Sequence, residues 1–426
     1  MWVCGICGAR LKNARQKPVR NSSNLFQLAF FLFSTPPEAA RIPLAMLAIF
    51  GTAKLLAELF ERFGQPGIVG EILAGVLIGP SVLGWVEPNE LLRSLADIGV
   101  MFLLFRVGLE VKPAELLKLG GTATIVAACG VIVPFFMGWG ILAAWGYPRL
   151  ESIFVGAAMV ATSVGITAQV LSAQGLLQQR ASQIILAAAV IDDVLGLLVL
   201  AIVSSMARGN VNCLEIALTM ALAIGFVIVI ALWGNQAMGK VVPKVQESMQ
   251  VAEAEFALAM ILLFALSVMA VYVGVAAIVG AFFAGMALAG KVGQRVMDLT
   301  HGATELLVPF FLAGIGLHID LSTFRSSSLI WLTVVILIAA CLSKFIGCGL
   351  SSYHLGKTDA IRIGVGMIPR GEVGMVVAQI GLTLGVISKD VYGVVVFMAV
   401  ATTIVAPPLL KMAFRGAGQE PVSLAT

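Results

Sequence analysis

The sequence predicts an all-α polytopic membrane protein, with about thirteen transmembrane helices forming two inverted six-helix repeats. Three observations lead there. Of 426 residues, 59% are hydrophobic and 12% charged, and the mean hydropathy is +1.01, which excludes an ordinary soluble globule. Apolar runs of membrane-spanning length recur along the whole chain. Short motifs of the first half return in the second at a nearly constant offset.

Residues 1–41 stand apart as an N-terminal extension. Arg10, Lys12, Arg15, Lys17 and Arg20 form a basic stretch, a short apolar run covers residues 25–33, and Pro36-Pro37 stops it. That outline fits a signal-like segment or residues ahead of the true start. Thirteen spans follow, at about 42–62, 67–85, 91–111, 121–146, 151–174, 181–207, 212–236, 253–273, 275–290, 302–318, 327–350, 360–386 and 390–412. The transmembrane domain is therefore 42–412, with a cytoplasmic tail at 413–426. Spans two and nine are short and glycine-rich.

The loops set an orientation. One alternate set plus the tail holds twelve lysines and arginines, against four (Arg149, Arg208, Arg325 and Lys389) in the other. This bias places the C-terminus in the cytoplasm and, with thirteen spans, the N-terminus outside. The basic residues before position 21 oppose it.

The repeat can be read directly from the sequence. Gly70-Glu71-Ile72-Leu73-Ala74-Gly75 matches Gly280-Ala281-Phe282-Phe283-Ala284-Gly285, 210 residues on. Val107-Gly108-Leu109 matches Ile315-Gly316-Leu317 at 208, and Ala168-Gln169-Val170 matches Ala378-Gln379-Ile380 at 210. Spans one to six and eight to thirteen become two copies separated by seven spans, so they insert in opposite senses. Inverted repeats with a site at their interface are a transporter signature.

Two corresponding spans are interrupted, the fifth by Thr162-Ser163-Val164-Gly165-Ile166-Thr167 and the twelfth by Ile368-Pro369-Arg370-Gly371-Glu372-Val373-Gly374. Paired broken helices leave carbonyls and half-helix dipoles at mid-membrane, where irregular backbone survives only inside protein or around water. Thr162 and Ser163 could offer oxygens to a small cation, or simply bond back to their own helix. Arg370 and Glu372 could neutralise opposing half-helix ends.

The chemical centre is Asp192-Asp193, two adjacent acids inside the apolar run from Ile184 to Val203. In a helix over 181–207, about 40 Å long, Asp192 falls about 17 Å along, close to the bilayer centre. A charge there costs several kcal/mol unless compensated, so intramembrane acids read first as an ion or proton site. Lys344, inside span eleven, needs a partner, and either acid is a candidate; the alternative is that it snorkels to the cytoplasmic surface. Glu71, Asp97, Arg106, Glu110 and Glu305, near span ends or on shorter spans, read as structural or funnel residues. His301, His318 and His354 fall in expected loops and suggest no metal site. The six cysteines read as core residues rather than disulfides, and Cys4-Gly5-Ile6-Cys7 lacks a second ligand pair for zinc. No dinucleotide-binding glycine motif, Walker loop or nucleophile elbow occurs, so neither an enzyme nor a cofactor beyond transported Na+ and H+ is expected, and no nucleic-acid partner. Nothing after residue 412 would form a nucleotide-binding regulatory domain.

Together, Gly70 to Pro80, the 161–167 segment, Val190-Ile191-Asp192-Asp193, Lys344 and Pro369-Arg370-Gly371-Glu372-Val373-Gly374 resemble the monovalent cation:proton antiporter-2 family of bacterial sodium/proton exchangers. The resemblance covers residues 42–412 and leaves the extension outside. It implies a homodimer with a mobile core (about 121–207 and 327–412) moving like an elevator against a dimerisation panel (about 42–111 and 253–318), joined by a linker helix at 212–236. The Asp192-Asp193 pair resembles the electrogenic, sodium-selective branch.

The expectation is a multi-pass protein of the inner membrane performing secondary active Na+/H+ exchange. Asp193 is the principal Na+ ligand, Asp192 the second acid and partner of Lys344, and Thr162 and Ser163 supply further oxygens. A K+/H+ antiporter or K+ efflux protein is the alternative. An intramembrane aspartyl protease is remote, because its two acids must meet across two helices, whereas Asp192 and Asp193 lie about 100° apart on one helix.

Overall fold

The computed structural model describes residues 38–111, 113–207, 213–248, 253–319 and 326–415, without the side chains of 38–39, 113–118, 213–216, 245–248 and 372. The expected extension up to residue 37 and most of the tail lie outside them. The chain divides into two compact units, Met1–Met46 and Leu47–Thr426. Every regular element among the described residues is helical.

The first copy comprises α1 (Glu38–Arg62), α2 (Gly67–Ile78), α3 (Glu90–Glu110), α4 (Pro113–Ala144), the half-helices α5 (Arg149–Ala158) and α6 (Val164–Ala173), and α7 (Arg180–Ala207). A linker follows: α8 (Cys213–Val229) runs through a π turn at Ile230–Gly234 into α9 (Asn235–Ser248). The second copy comprises α10 (Ala254–Tyr272), α11 (Ala277–Leu288), α12 (Gln294–Leu317), α13 (Ser327–Ser351), the half-helices α14 (Lys357–Gly366) and α15 (Glu372–Thr383), and α16 (Lys389–Ala413). Among the described residues, eight helices are long and apolar enough to cross a membrane, and four further apolar helices are shorter. The protein is thus an all-α, polytopic membrane protein.

Element ends differ from the expected spans for local reasons. Span two was expected to reach residue 85, but α2 stops at Ile78 because Gly79 precedes Pro80 and takes extended backbone. α12 begins at Gln294 rather than 302, since its first turns carry Arg295, Asp298 and His301, which a hydropathy window discounts. His301 is therefore helical, not in a loop. The linker was expected to end at 236, yet the helix continues through the π turn to Ser248.

The repeat reappears in the packing. A methyl group on Gly75 would overlap the carbonyl of Ala313, and one on Gly285 would overlap that of Phe105. Gly316 abuts Ile72 in the same way, and Gly108 abuts Phe282. So α2 packs on α12 as α11 packs on α3, with the contacting residues themselves 208 or 210 positions apart. Gly70 against Leu56 and Gly280 against Leu266 complete the pattern. Small residues at these crossings let backbones approach where lipid supplies no hydrophobic drive. A second group, α4 to α7 and α13 to α16, packs mainly within itself, with α6 also touching α3, and contains both interrupted spans.

Candidate functional site

Both expected breaks are present. Residues 159–163 separate α5 from α6, and residues 367–371 separate α14 from α15. The breaks meet: the Ser163 amide donates to Pro369 O at 2.8 Å, and the Thr167 hydroxyl donates to Gly366 O at 2.7 Å. A Cβ on Gly371 would fall 2.6 Å from Ser163 Oγ, so only glycine permits this crossing unchanged.

Arg370 binds the breaks together. It is fully buried, and its Nη1 donates to Val160 O at 3.1 Å and Ala161 O at 3.3 Å, beyond the C-terminal end of α5. Its Nη2 donates to Ala340 O of α13 at 3.0 Å. A fixed positive charge thereby faces the partial negative charge of a half-helix C-terminus. The Arg370 amide donates to Thr402 Oγ1 at 3.1 Å, tying the break to α16. Glu372 opens α15, where an acid suits the positive end of a helix; its side chain lies outside the described residues.

The acids sit on α7, Asp192 fully buried and Asp193 4% exposed. Lys344 of α13, also 0% exposed, donates from Nζ to Asp192 Oδ1 at 2.9 Å. Around Lys344, α4 is pared down to glycine: a Cβ on Gly130 would fall 3.3 Å from its Nζ and 2.8 Å from Cys348 Sγ. Among the described residues, the buried Thr162 and Ser163 hydroxyls and Asp192 Oδ2 have no hydrogen-bond partner. Asp192, Asp193 and Lys344 form a set away from bulk water whose net charge changes with one proton or one monovalent cation, and Thr162 and Ser163 lie in the first break.

Glu71 and Glu305 lie with Lys54 at a cavity of about 490 Å³, whose walls also include Glu58, Glu61 and Lys411. Lys54 Nζ is 3.1 Å from Glu71 Oε1 and 3.5 Å from Glu305 Oε2. Gln169 of α6 and Gln174 just past its end line it too, so it reaches to within about 8 Å, along that half-helix, of the break at Val164.

Sequence reasoning missed Thr402 and Glu151. The signal for Thr402 was the repeat, because it stands 210 residues after Asp192. Glu151 is 5% exposed and accepts from the Ser388 amide at 2.9 Å and hydroxyl at 2.8 Å, joining the starts of α5 and α16. It lay too near an expected span end to stand out.

The profile of the sodium/hydrogen exchanger, transmembrane family matches residues 45–416. The chain is 32% identical over 398 residues to the Na+/H+-K+ antiporter GerN of Bacillus cereus, covering 91% of this chain and 96% of that protein. It is 33% identical over 430 positions to the high-affinity Na+/H+ antiporter NhaS3 of Synechocystis sp., covering 90% and 92%. Its fold is similar to that of the sodium proton antiporter MjNhaP1 from Methanocaldococcus jannaschii, with a TM-score of 0.63 and 17% identity over 88% of this chain and 98% of that one.

Proposed function

This chain belongs to the sodium/hydrogen exchanger family, and from that premise we propose how its buried acids exchange Na+ for H+. The protein is a secondary active antiporter of the membrane. Asp193 is the principal cation ligand, Thr162 and Ser163 supply neutral oxygens, and Asp192 holds Lys344. With both acids ionised and Lys344 charged, the site carries −1 and attracts one cation. With Asp193 protonated it carries zero. Na+ and H+ therefore compete for the same carboxylates, and that competition couples their fluxes.

The observation that carries this proposal is the fully buried Lys344–Asp192 pair beside Asp193, on helices packed with the two crossing breaks. The cavity lined by Glu71 and Glu305 is the approach for the cation. Residues 121–207 and 327–412 move as a core against a homodimeric panel of 42–111 and 253–318 by an elevator motion. Support comes from the largely separate packing of the α2–α3–α11–α12 group and the group holding the breaks, which meet through α6 on α3 and α16 on α2. The twelve-to-four charge bias supports a cytoplasmic C-terminus in the inner membrane, with the N-terminus outside.

The test uses everted membrane vesicles and a pH-sensitive dye. Na+ added to wild-type vesicles should dequench the dye, and Asp193→Asn should abolish the response at normal expression. Near-normal Na+-driven proton movement in that variant would remove Asp193 as the ligand. K+ is the second reading, favoured by the relative GerN, named a Na+/H+-K+ antiporter. Dequenching by K+ at equal concentration would establish it.

A further inference from the structure

The outer surface of α4, α5 and α7 carries a groove that the exchange site does not use. About 400 Å³ of space lies between Ile132, Phe136 and Trp139 of α4, Arg149 of α5, and Ile202 and Met206 of α7. Ile132 and Phe136 are 54% and 55% exposed, so the groove opens on the surface that meets lipid tails. Its lining is apolar apart from Arg149 at one end. Arg149 is exposed and takes part in no ion pair among the described residues. The carboxylate of Glu151, nearest in sequence, is buried and turned to Ser388. Among the described residues, no acid lines the groove to neutralise the guanidinium.

The groove also has a definite depth. Trp139, Trp145 and Tyr147 flank the Arg149 end, and tryptophan and tyrosine favour the level of lipid headgroups. From Trp139 to Ile132 the wall descends about 10 Å along α4 into the hydrocarbon. A cationic rim at headgroup level above an apolar trough matches an amphiphile with an anionic head. A free phosphate would leave the trough unfilled, and an extended peptide would bring unpaired backbone groups into the bilayer.

We propose that this groove binds one anionic phospholipid, its phosphate on Arg149 and an acyl chain between α4 and α7. The bound lipid contacts α7, which carries Asp192 and Asp193, and α5, which ends at the first break.

Native mass spectrometry of the detergent-purified full chain, titrated with palmitoyl-oleoyl phosphatidylglycerol or phosphatidylcholine, tests this. Wild type should hold one phosphatidylglycerol more tightly than phosphatidylcholine. Arg149→Gln should weaken phosphatidylglycerol about fivefold, to the level of the zwitterionic lipid, as expected for one arginine near a membrane surface. Arg149→Lys should restore the preference. Ile202→Trp, which fills the trough, should release both lipids. Arg180→Gln, at the far end of α7, should change nothing. Melting temperatures in lipid-free detergent identify any variant that fails to fold, and the Gln–Lys pair at position 149 decides the matter without Ile202→Trp. Equal wild-type affinity for the two lipids would overturn the proposal, as would an unchanged preference in Arg149→Gln. Glycerol phosphate binding as tightly as the lipid would make this a phosphate site instead. A loss of dimers in Ile202→Trp with lipid binding intact would make the groove a contact between two copies.

Discussion

Lys344 and Asp192 lie 2.9 Å apart with no solvent exposure, so each charge is tolerable mainly because of the other. Removing one partner of such a pair typically costs about 3–5 kcal/mol, because the survivor stays buried and uncompensated. Asp192→Asn and Lys344→Gln should each lower the melting temperature in detergent well below that of wild type. Lys344 could also release its own proton when Na+ occupies the acids, making exchange two protons for one cation and electrogenic. Lys344→Gln should then weaken the voltage dependence of transport, measured as current on solid-supported membranes. Lys344→Arg keeps the charge but not a releasable proton, so it should keep more stability than current. Full current and wild-type stability in Lys344→Gln would leave the lysine no role in coupling. Asp192, Asp193 and Lys344 stood out in the sequence because charge inside an apolar run is costly. The partners of Arg370 did not, since they are backbone carbonyls, which every residue carries.

At the level of elements, the two breaks hold together through backbone and the side chains of Arg370 and Thr167. Arg370 spans three carbonyls on two elements of the fold, and a lysine ammonium cannot reproduce that fork. Arg370→Lys should lose about 1.5–3 kcal/mol per charge-assisted bond left unmade, read as a lower melting temperature, and should lose exchange with it. The glycine crossings permit a sharper comparison. Gly285→Val forces α11 away from the carbonyl of Phe105 and should reduce the yield of folded protein, whereas Gly302→Ala, with nothing within 4 Å, should be close to neutral. If both variants gave equal yield on a size-exclusion column, close packing of α11 on α3 would not limit folding. The breaks were legible as glycine- and proline-rich interruptions of apolar spans. Their hydrogen bonding to each other was not, because Ser163 and Pro369 lie more than 200 residues apart.

The whole molecule combines a symmetric scaffold with asymmetric chemistry. At the 210-residue offset, Asp192 and Asp193 correspond to Thr402 and Thr403, and Lys344 corresponds to Pro134. Thr402 is nonetheless used, since it accepts the amide of Arg370. The orientation of the scaffold is tested by a C-terminal fusion: green fluorescent protein should fluoresce there and alkaline phosphatase should stay inactive. Active phosphatase would mean that the spans are miscounted. The sequence by itself determined the membrane class, the repeat and the buried acids, because each is a local property: hydropathy, motif spacing, or a charge where none is cheap. Helix ends such as Ile78 and Gln294 were displaced by single prolines and charged first turns that hydropathy averages over. Only the tertiary structure decided that Lys344 pairs with Asp192, that Arg370 joins the first break to α13, and that Glu71, Lys54 and Glu305 share one cavity. Those outcomes depend on which helices touch, and helices distant in sequence touch only where small residues let their backbones close.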